Sequence, residues 1–182
     1  MKIKFKKYCR KTGFKNKEDG DFFLNRIKEI KPKNFLEMGV FYGVTTRNIC
    51  ELLYLLHGND FKFTGIDSFS NDIQMSNDEF VPKTKFFNLF KAIYYRYIIR
   101  LHPYSLRSIL RLLKKFKKNI NIIKGNLRKV LKEINLDKID YVFLDGGHKY
   151  ETVKNDLENL TQVIHNNGTI LCDDYNLSND LV

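Results

Sequence analysis

Four side chains near the C-terminus have types and spacing that could do acid–base or metal chemistry. They are Asp145, His148, Asp173 and Asp174, and they follow two apolar runs of the kind that forms buried strands. If the two runs are neighbouring strands, three carboxylates converge and would repel one another unless they were protonated or neutralised by a cation. Oxygen ligands favour a hard ion such as magnesium or calcium. Because an imidazole titrates near neutral pH, His148 could act as a general base beside that ion. The alternative is that Asp173 and Asp174 cap the following segment and that His148 is an ordinary residue at a helix N-terminus.

A glycine-containing turn and a single aspartate form a second group of candidate residues. In Glu37-x-Gly39-x-x-x-Gly43 the glycines allow a tight turn and a close approach of the backbone to a ligand. The motif is not GxGxxG, which argues against a nicotinamide-dependent oxidoreductase. Asp67 lies 28 residues after Gly39, and a carboxylate there could accept both hydroxyls of a ribose. The alternative is that Asp67 is a turn or cap aspartate.

Short apolar runs alternate with segments of helical periodicity along the chain, and these elements position the candidate residues. The apolar runs predict five strands, at 34–39, 61–67, 120–125, 139–144 and 168–172. Helices are predicted from Glu18 to Pro32 and at 44–57, 105–118, 127–134 and 149–164. This order predicts a Rossmann-like, doubly wound parallel sheet with helices on both faces. In such a sheet ligands bind at the carboxyl ends of the strands, where Gly125 and Asn126 join the residues named above.

Length and charge restrict the class of protein further. The chain has 182 residues, of which 43% are hydrophobic, which suits one folded domain and excludes disorder throughout. The net charge of +11 is uneven, since residues 83–132 hold 15 basic and no acidic side chains, whereas residues 133–182 have a net charge of −7. A basic block suggests an anionic partner or surface, and the alternative is a solvated face. We expect a basic N-terminal arm at 1–17, either mobile or loosely docked, and a domain at 18–182. This domain contains a basic helical insert at about 68–119.

The cysteines and the N-terminal sequence indicate the cellular compartment in which we expect the protein. Three widely spaced cysteines, Cys9, Cys50 and Cys172, give neither a disulfide framework nor a zinc site. The basic N-terminus has no apolar segment of a secretory signal after it, and no run of 18 apolar residues predicts a transmembrane helix. We therefore expect a cytoplasmic protein.

Together these motifs resemble a class I S-adenosylmethionine (SAM)-dependent methyltransferase. More narrowly, they resemble the macrocin and cephalosporin-biosynthesis type of O-methyltransferase, a metal-dependent group that modifies sugars and natural products. The resemblance covers roughly residues 20–67 and 120–175. Its motifs, in chain order, lie at 37–46, 65–67, 123–126, 140–148 and 168–175.

The resemblance implies a role for each candidate residue. Glu37, Gly39 and Gly43 would line the methionine part of the cofactor, and Asp67 would hold the ribose. Asn126 stands where the family usually has an aspartate, near the adenine. The implied magnesium ligands are Asp145, Asp173 and Asp174. His148 would take the proton from the substrate hydroxyl, which then attacks the methyl group of the cofactor.

Two departures from the family lead to further expectations. Members of this fold normally continue into strands six and seven, whereas this sequence ends at Val182. We expect a minimal sheet, a sheet completed by a partner chain, or a fragment, and an exposed fifth strand would favour homo-oligomers. The basic insert could hold an anionic or glycosylated acceptor.

Two other classes of function stay open at this point. A nucleic-acid methyltransferase would suit the Arg, Lys and Tyr of the insert, although a metal and histidine suit a hydroxyl better than a base nitrogen. A non-catalytic Rossmann-like module would use the amphipathic helix 105–118 to bind a membrane surface or another anionic partner.

Overall fold

The computed structural model describes residues 3–69, 90, 93–94, 101–134, 136, 138–147 and 149–173. In the predicted insert, residues 70–89, 91–92 and 95–100 therefore lie outside the described residues. The helices are α1 (Lys17–Ile30), α2 (Val44–His57), α3 (Leu106–Leu112), α4 (Leu127–Glu133) and α5 (Tyr150–Leu160), with a short 3₁₀ turn at Lys114–Phe116. The strands are β1 (Asn34–Met38), β2 (Lys62–Asp67), β3 (Ile120–Lys124), β4 (Ile139–Leu144) and β5 (Ile164–Cys172).

The five strands form one parallel sheet in the order β3-β2-β1-β4-β5. β1 lies at the centre, where Met38 pairs with Ile66 of β2 on one side and with Leu144 of β4 on the other. Since all strands run the same way, their carboxyl ends meet at one edge of the sheet. The predicted fold class is confirmed in this respect, and the edge is the place where ligands bind in open α/β sheets.

Two hydrophobic cores lie on opposite faces of the sheet, because successive side chains of a strand point to opposite sides. On one face Phe35 and its strand neighbours pack against α1 and α2. On the other face Leu36 and Met38 pack with Leu131 of α4 and Val153 of α5. Central strands covered on both faces explain why their sequences read as continuous apolar runs.

Three helix predictions differ from the structure in detail. The apolar residues at helical spacing in α1 include Phe22, but this side chain is exposed and the buried face is formed by Gly20, Phe23, Leu24 and Ile27. The predicted helix 105–118 ends at Leu112 and continues only as a 3₁₀ turn. Ile164, predicted to lie in a helix, is the first residue of β5 and pairs with Ile139. Its spacing fits a helical face, but a β-branched residue also fits a strand, and sheet pairing decides between them.

The N-terminal segment is not loosely docked, so this expectation is wrong for residues 3–16. Phe5 is 2% exposed and belongs to the core on the α1 and α2 face. A Cβ on Gly20 would lie 2.5 Å from the Phe5 ring, so the glycine makes room for it. Asn48 of α2 bonds both the N–H and the carbonyl oxygen of Lys6. The sequence did not indicate this docking, because the segment is mostly basic and its few buried residues form no periodic pattern.

Arg10 links the same segment to two other parts of the fold. Its guanidinium donates to the carbonyl oxygens of Tyr42 at 3.1 Å and of Pro103 at 3.4 Å. It also donates to the carbonyl oxygen and the hydroxyl of Ser108 in α3. One side chain therefore ties the glycine turn to the segment around α3.

Among the described helices, none is long and apolar enough to span a membrane.

Candidate functional site

The turn after β1 brings the ends of three strands together. The N–H of Gly39 donates to the carbonyl oxygen of Ile66 at 2.9 Å, and the N–H of Asp145 donates to that of Met38 at 2.8 Å. Gly39 has φ +101°, and a Cβ built on it would lie 1.9 Å from the carbonyl oxygen of Asp145. Only glycine tolerates both this backbone conformation and this contact.

The second glycine of the motif starts α2. Gly43 has φ +72°, and its N–H donates to the carbonyl oxygen of Val40 at 2.9 Å, which closes the turn. A Cβ on Gly43 would lie 2.9 Å from the side chain of Ile109, so α3 packs closely on this turn. Phe41, between the two glycines, also has a positive φ of 52°. The turn is thus held by the insert as well as by the sheet.

Glu37 is fully buried at the end of β1. Its Oε2 accepts a hydrogen bond from the hydroxyl of Thr46 in the first turn of α2, whereas its Oε1 has no partner among the described residues. Burial raises the pKa of Glu37 well above its usual value, and the nearby carboxylates of Asp145 and Asp67 raise it further. The structure thus brings three of the predicted site residues close enough to interact electrostatically. Thr46 was not predicted as a site residue, although it lies in the matching motif.

Asp67 is 7% exposed at the end of β2 and is well supplied with donors. Its Oδ2 accepts from the N–H of Phe41 at 2.7 Å, and its Oδ1 accepts from the N–H of Phe69 at 2.9 Å and from the hydroxyl of Tyr104 at 2.7 Å. Burial raises the pKa of Asp67, and these hydrogen bonds oppose the rise. Asp67 therefore ties two turns together, as the turn-aspartate alternative expects. Sequence analysis missed Tyr104, because no spacing rule connects it to β2.

Asn126 lies beside this group, just after β3. The preceding Gly125 donates its N–H to the carbonyl oxygen of Asp67 at 3.0 Å, which places Asn126 at the same edge of the sheet. Its Oδ1 accepts a long bond of 3.4 Å from the N–H of Lys129 in α4. This is the geometry of a helix N-cap, so Asn126 also has a structural use.

Asp145 and Asp173 follow adjacent strands. Leu144 pairs with Cys172, and the N–H of Asp173 donates to the carbonyl oxygen of Leu144 at 3.0 Å, so the two aspartates leave the sheet side by side. Both are partly exposed. His148 and Asp174, the other two members of the predicted metal and base group, lie outside the described residues. Within the described part of the chain, no group of three or more His, Cys, Asp or Glu side chains could hold a metal ion.

Comparison with known proteins identifies the family to which the chain belongs. Residues 36–175 match the family described as a methyltransferase domain, and the chain belongs to that family. No curated protein matches the sequence. The family match confirms the predicted methyltransferase family, and the structural match confirms the predicted Rossmann-like fold.

Solved structures share the fold at low sequence identity. PaMTH1 of Podospora anserina is a methyltransferase solved with bound S-adenosylhomocysteine (SAH). It has a TM-score of 0.59 and 15% identity to this chain, and the match covers 88% of this chain and 53% of PaMTH1. TomG of Streptomyces achromogenes, an O-methyltransferase involved in tomaymycin synthesis and solved with SAM, has a TM-score of 0.55 and 11% identity, covering 86% and 55%. An O-methyltransferase of Bacillus cereus in complex with SAH has a TM-score of 0.55 and 10% identity, covering 89% and 58%. The chain therefore spans little more than half the length of these structures.

Proposed function

We propose that the chain binds SAM at the carboxyl edge of its sheet and transfers the methyl group to a hydroxyl oxygen of a sugar or another small molecule. The observation that carries this proposal is the buried Glu37 carboxyl, whose Oε1 has no partner among the described residues and which lies beside the Gly39 turn. SAM carries a sulfonium and an ammonium group. Since Asp67 and Asp145 interact unfavourably with Glu37, a positively charged ligand at this edge would relieve that repulsion.

Each part of the cofactor has residues that could hold it. In this proposal Glu37, Gly39 and Gly43 line the methionine part, where the two glycines leave the backbone uncovered by side chains. Asp67 accepts ribose hydroxyls, and Asn126 hydrogen-bonds the adenine. The side chains of Glu37 and Asp67 are buried, which strengthens hydrogen bonds to a ligand that excludes water.

A magnesium ion is the second part of the proposal. Asp145 and Asp173 leave neighbouring strands next to each other and offer the oxygen ligands that magnesium prefers. Asp174 is proposed as the third ligand from the sequence alone. When bound, such an ion supplies a Lewis acid that lowers the pKa of the acceptor hydroxyl.

His148 is proposed to take the proton from that hydroxyl. The oxygen of the acceptor then forms a bond to the methyl carbon while the bond from this carbon to sulfur breaks, which leaves SAH. The chain contributes chiefly by holding the two reactants in line, which is a large source of rate acceleration in two-substrate reactions.

The acceptor would approach over the segment that includes α3. Its exposed side chains Arg107, Arg111, Lys114 and Lys115 form a basic surface, which suits an anionic or glycosylated acceptor. The cytoplasmic location and the homo-oligomer stay predictions from the sequence.

Isothermal titration with SAH tests the cofactor assignment, and NADH is the matched control ligand. We expect SAH to bind with measurable heat and NADH to give none, because the glycine turn lacks the GxGxxG pattern for a pyrophosphate. Heat from NADH alone would contradict the proposal.

Thermal melting with and without magnesium tests the metal assignment. We expect magnesium to raise the melting temperature of the wild-type protein and to leave that of Asp145→Asn unchanged, because a ligand that binds only the folded state stabilises it. Asp60→Asn is the control, since the side chain of Asp60 is 77% exposed and forms a surface ion pair with Lys33. An equal shift in all three proteins would show that Asp145 does not bind the ion.

A further inference from the structure

The carboxylate of Asp67 has little acceptor capacity left for a ligand. A carboxylate offers about four lone-pair positions to hydrogen-bond donors. Oδ1 already accepts from the hydroxyl of Tyr104 and the N–H of Phe69, and Oδ2 accepts from the N–H of Phe41. A fourth donor, the backbone N–H of Val40, also interacts with this carboxylate. A ribose diol that donates two hydrogen bonds to Asp67 must therefore displace donors of the protein itself.

Among these donors, the backbone groups are the hardest to displace. Phe41 and Phe69 both have positive φ angles, of 52° and 43°, which are costly for residues with a side chain. Their N–H groups are fixed by the turns that follow β1 and β2, so releasing either one requires a turn to refold. Both turns are therefore expected to keep their bonds to Asp67 when a ligand arrives.

Tyr104 is held at Asp67 in a different way, through its side chain. Its hydroxyl lies 2.7 Å from Asp67 Oδ1 and 3.2 Å from the hydroxyl of Ser68. A ribose hydroxyl is a donor of the same kind, so it can replace the tyrosine hydroxyl without loss of a hydrogen bond. Rotation of one side chain is also a smaller change than the opening of a turn.

We propose that the Tyr104 hydroxyl occupies the ribose position on Asp67 and leaves it when the cofactor binds. This inference rests on the proposed function and makes Tyr104 a residue that sets the affinity for the cofactor. It also links the cofactor to the insert, because Tyr104 precedes α3 by two residues.

Arg10 restricts movement of the backbone on either side of Tyr104. Its guanidinium binds the carbonyl oxygen of Pro103, just before Tyr104, and the carbonyl oxygen and hydroxyl of Ser108 beyond it. Because the backbone is held on both sides, we expect the tyrosine side chain to turn away while α3 keeps its place on Gly43. The rings of Phe41 and Phe69, which lie 6.5 Å and 5.8 Å from the Tyr104 ring between centroids, would then be freed to contact the nucleoside.

Tyr104→Phe tests this inference, because it removes the competing donor and keeps the ring. We expect the Kd for SAH, measured by isothermal titration, to fall about ten-fold, since a hydrogen bond to a charged group no longer has to be exchanged. The melting temperature of the ligand-free variant should fall at the same time, because the bond to Asp67 is lost. A tyrosine with only a structural role would give the lower melting temperature without the tighter binding.

Tyr54→Phe is the matched control. Tyr54 is on α2, is 37% exposed and contacts Phe116, so its hydroxyl should not affect the Kd for SAH. Ser68→Ala is a second test, since it removes a hydroxyl that contacts Tyr104 and should lower the Kd by a smaller factor. Unchanged or weaker SAH binding by Tyr104→Phe, with wild-type binding intact, would overturn this inference alone. A wild-type protein that does not bind SAH would overturn both the inference and the proposed function.

Discussion

Gly39→Ala is the substitution whose effect the structure determines most directly. The added Cβ would stand 1.9 Å from the carbonyl oxygen of Asp145, and real Cβ atoms essentially never approach another heavy atom more closely than 3.0 Å. This neighbour is backbone, so the ends of β1 and β4 must separate by more than 1 Å. The movement would pull on two hydrogen bonds, from Gly39 to Ile66 and from Asp145 to Met38.

The expected cost has two parts. An alanine at φ +101° is strained by about 1–3 kcal/mol, as any residue with a side chain is in such a conformation. The two hydrogen bonds are worth about 1 kcal/mol each, so their loss adds about 2 kcal/mol to the strain. We therefore expect Gly39→Ala to lower the free energy of unfolding by about 3–5 kcal/mol in total.

Gly58→Ala is the matched control, and urea unfolding is the assay. Gly58 also has a positive φ, of 62°, but a Cβ on it would meet no atom within 4 Å. Gly58→Ala should therefore suffer the backbone strain without the steric contact. The free energy of unfolding should fall by about 2 kcal/mol more in Gly39→Ala than in Gly58→Ala. SAH binding should also be lost in Gly39→Ala alone. Equal losses of stability in the two variants would refute the close contact between the glycine turn after β1 and the end of β4.

Two further substitutions test the core and the buried carboxyl. Phe5→Ala should lower the free energy of unfolding by about 3–5 kcal/mol, because it empties a site in the core, whereas Phe22→Ala should change it little, since Phe22 is 67% exposed. Equal small effects in urea unfolding would show that the N-terminal segment does not dock. Glu37→Gln should change the pH dependence of stability. Burial raises the pKa of Glu37, so the folded state keeps its proton to higher pH and the wild-type free energy of unfolding falls as pH rises through that raised pKa. In Glu37→Gln the free energy of unfolding should lack this pH-dependent decrease. Parallel pH profiles of stability in the two proteins would contradict the raised pKa of Glu37.

The sheet could be predicted from the sequence because its signal is local. Five short apolar runs, each followed by Gly, Asp or Asn, match the five strands, and the bounds of α2 and β4 agree to the residue. Parallel strands then place Glu37, Asp67 and Asp145 at one edge with no further information. The side-chain roles within that edge stay predictions.

The contacts that join distant parts of the chain could not be predicted. Phe5 and Arg10 lie in a basic segment without periodicity, and their partners are up to 98 positions away. The bond from Tyr104 to Asp67 spans 37 positions, so no local pattern in the sequence predicts it. Ile164 was assigned to the wrong element because its spacing suits a helix, and only pairing with Ile139 puts it in β5.

The structure of the chain with SAH bound tests the central claim most directly. We predict SAH at the carboxyl edge of the sheet, with its ribose on Asp67, its adenine beside Asn126 and its amino-acid part against Glu37 and Gly39. The side chain of Tyr104 should have left Asp67. SAH bound elsewhere on the protein, with Glu37 and Asp67 keeping only their own hydrogen bonds, would contradict the assignment of this edge as a methyltransferase cofactor site.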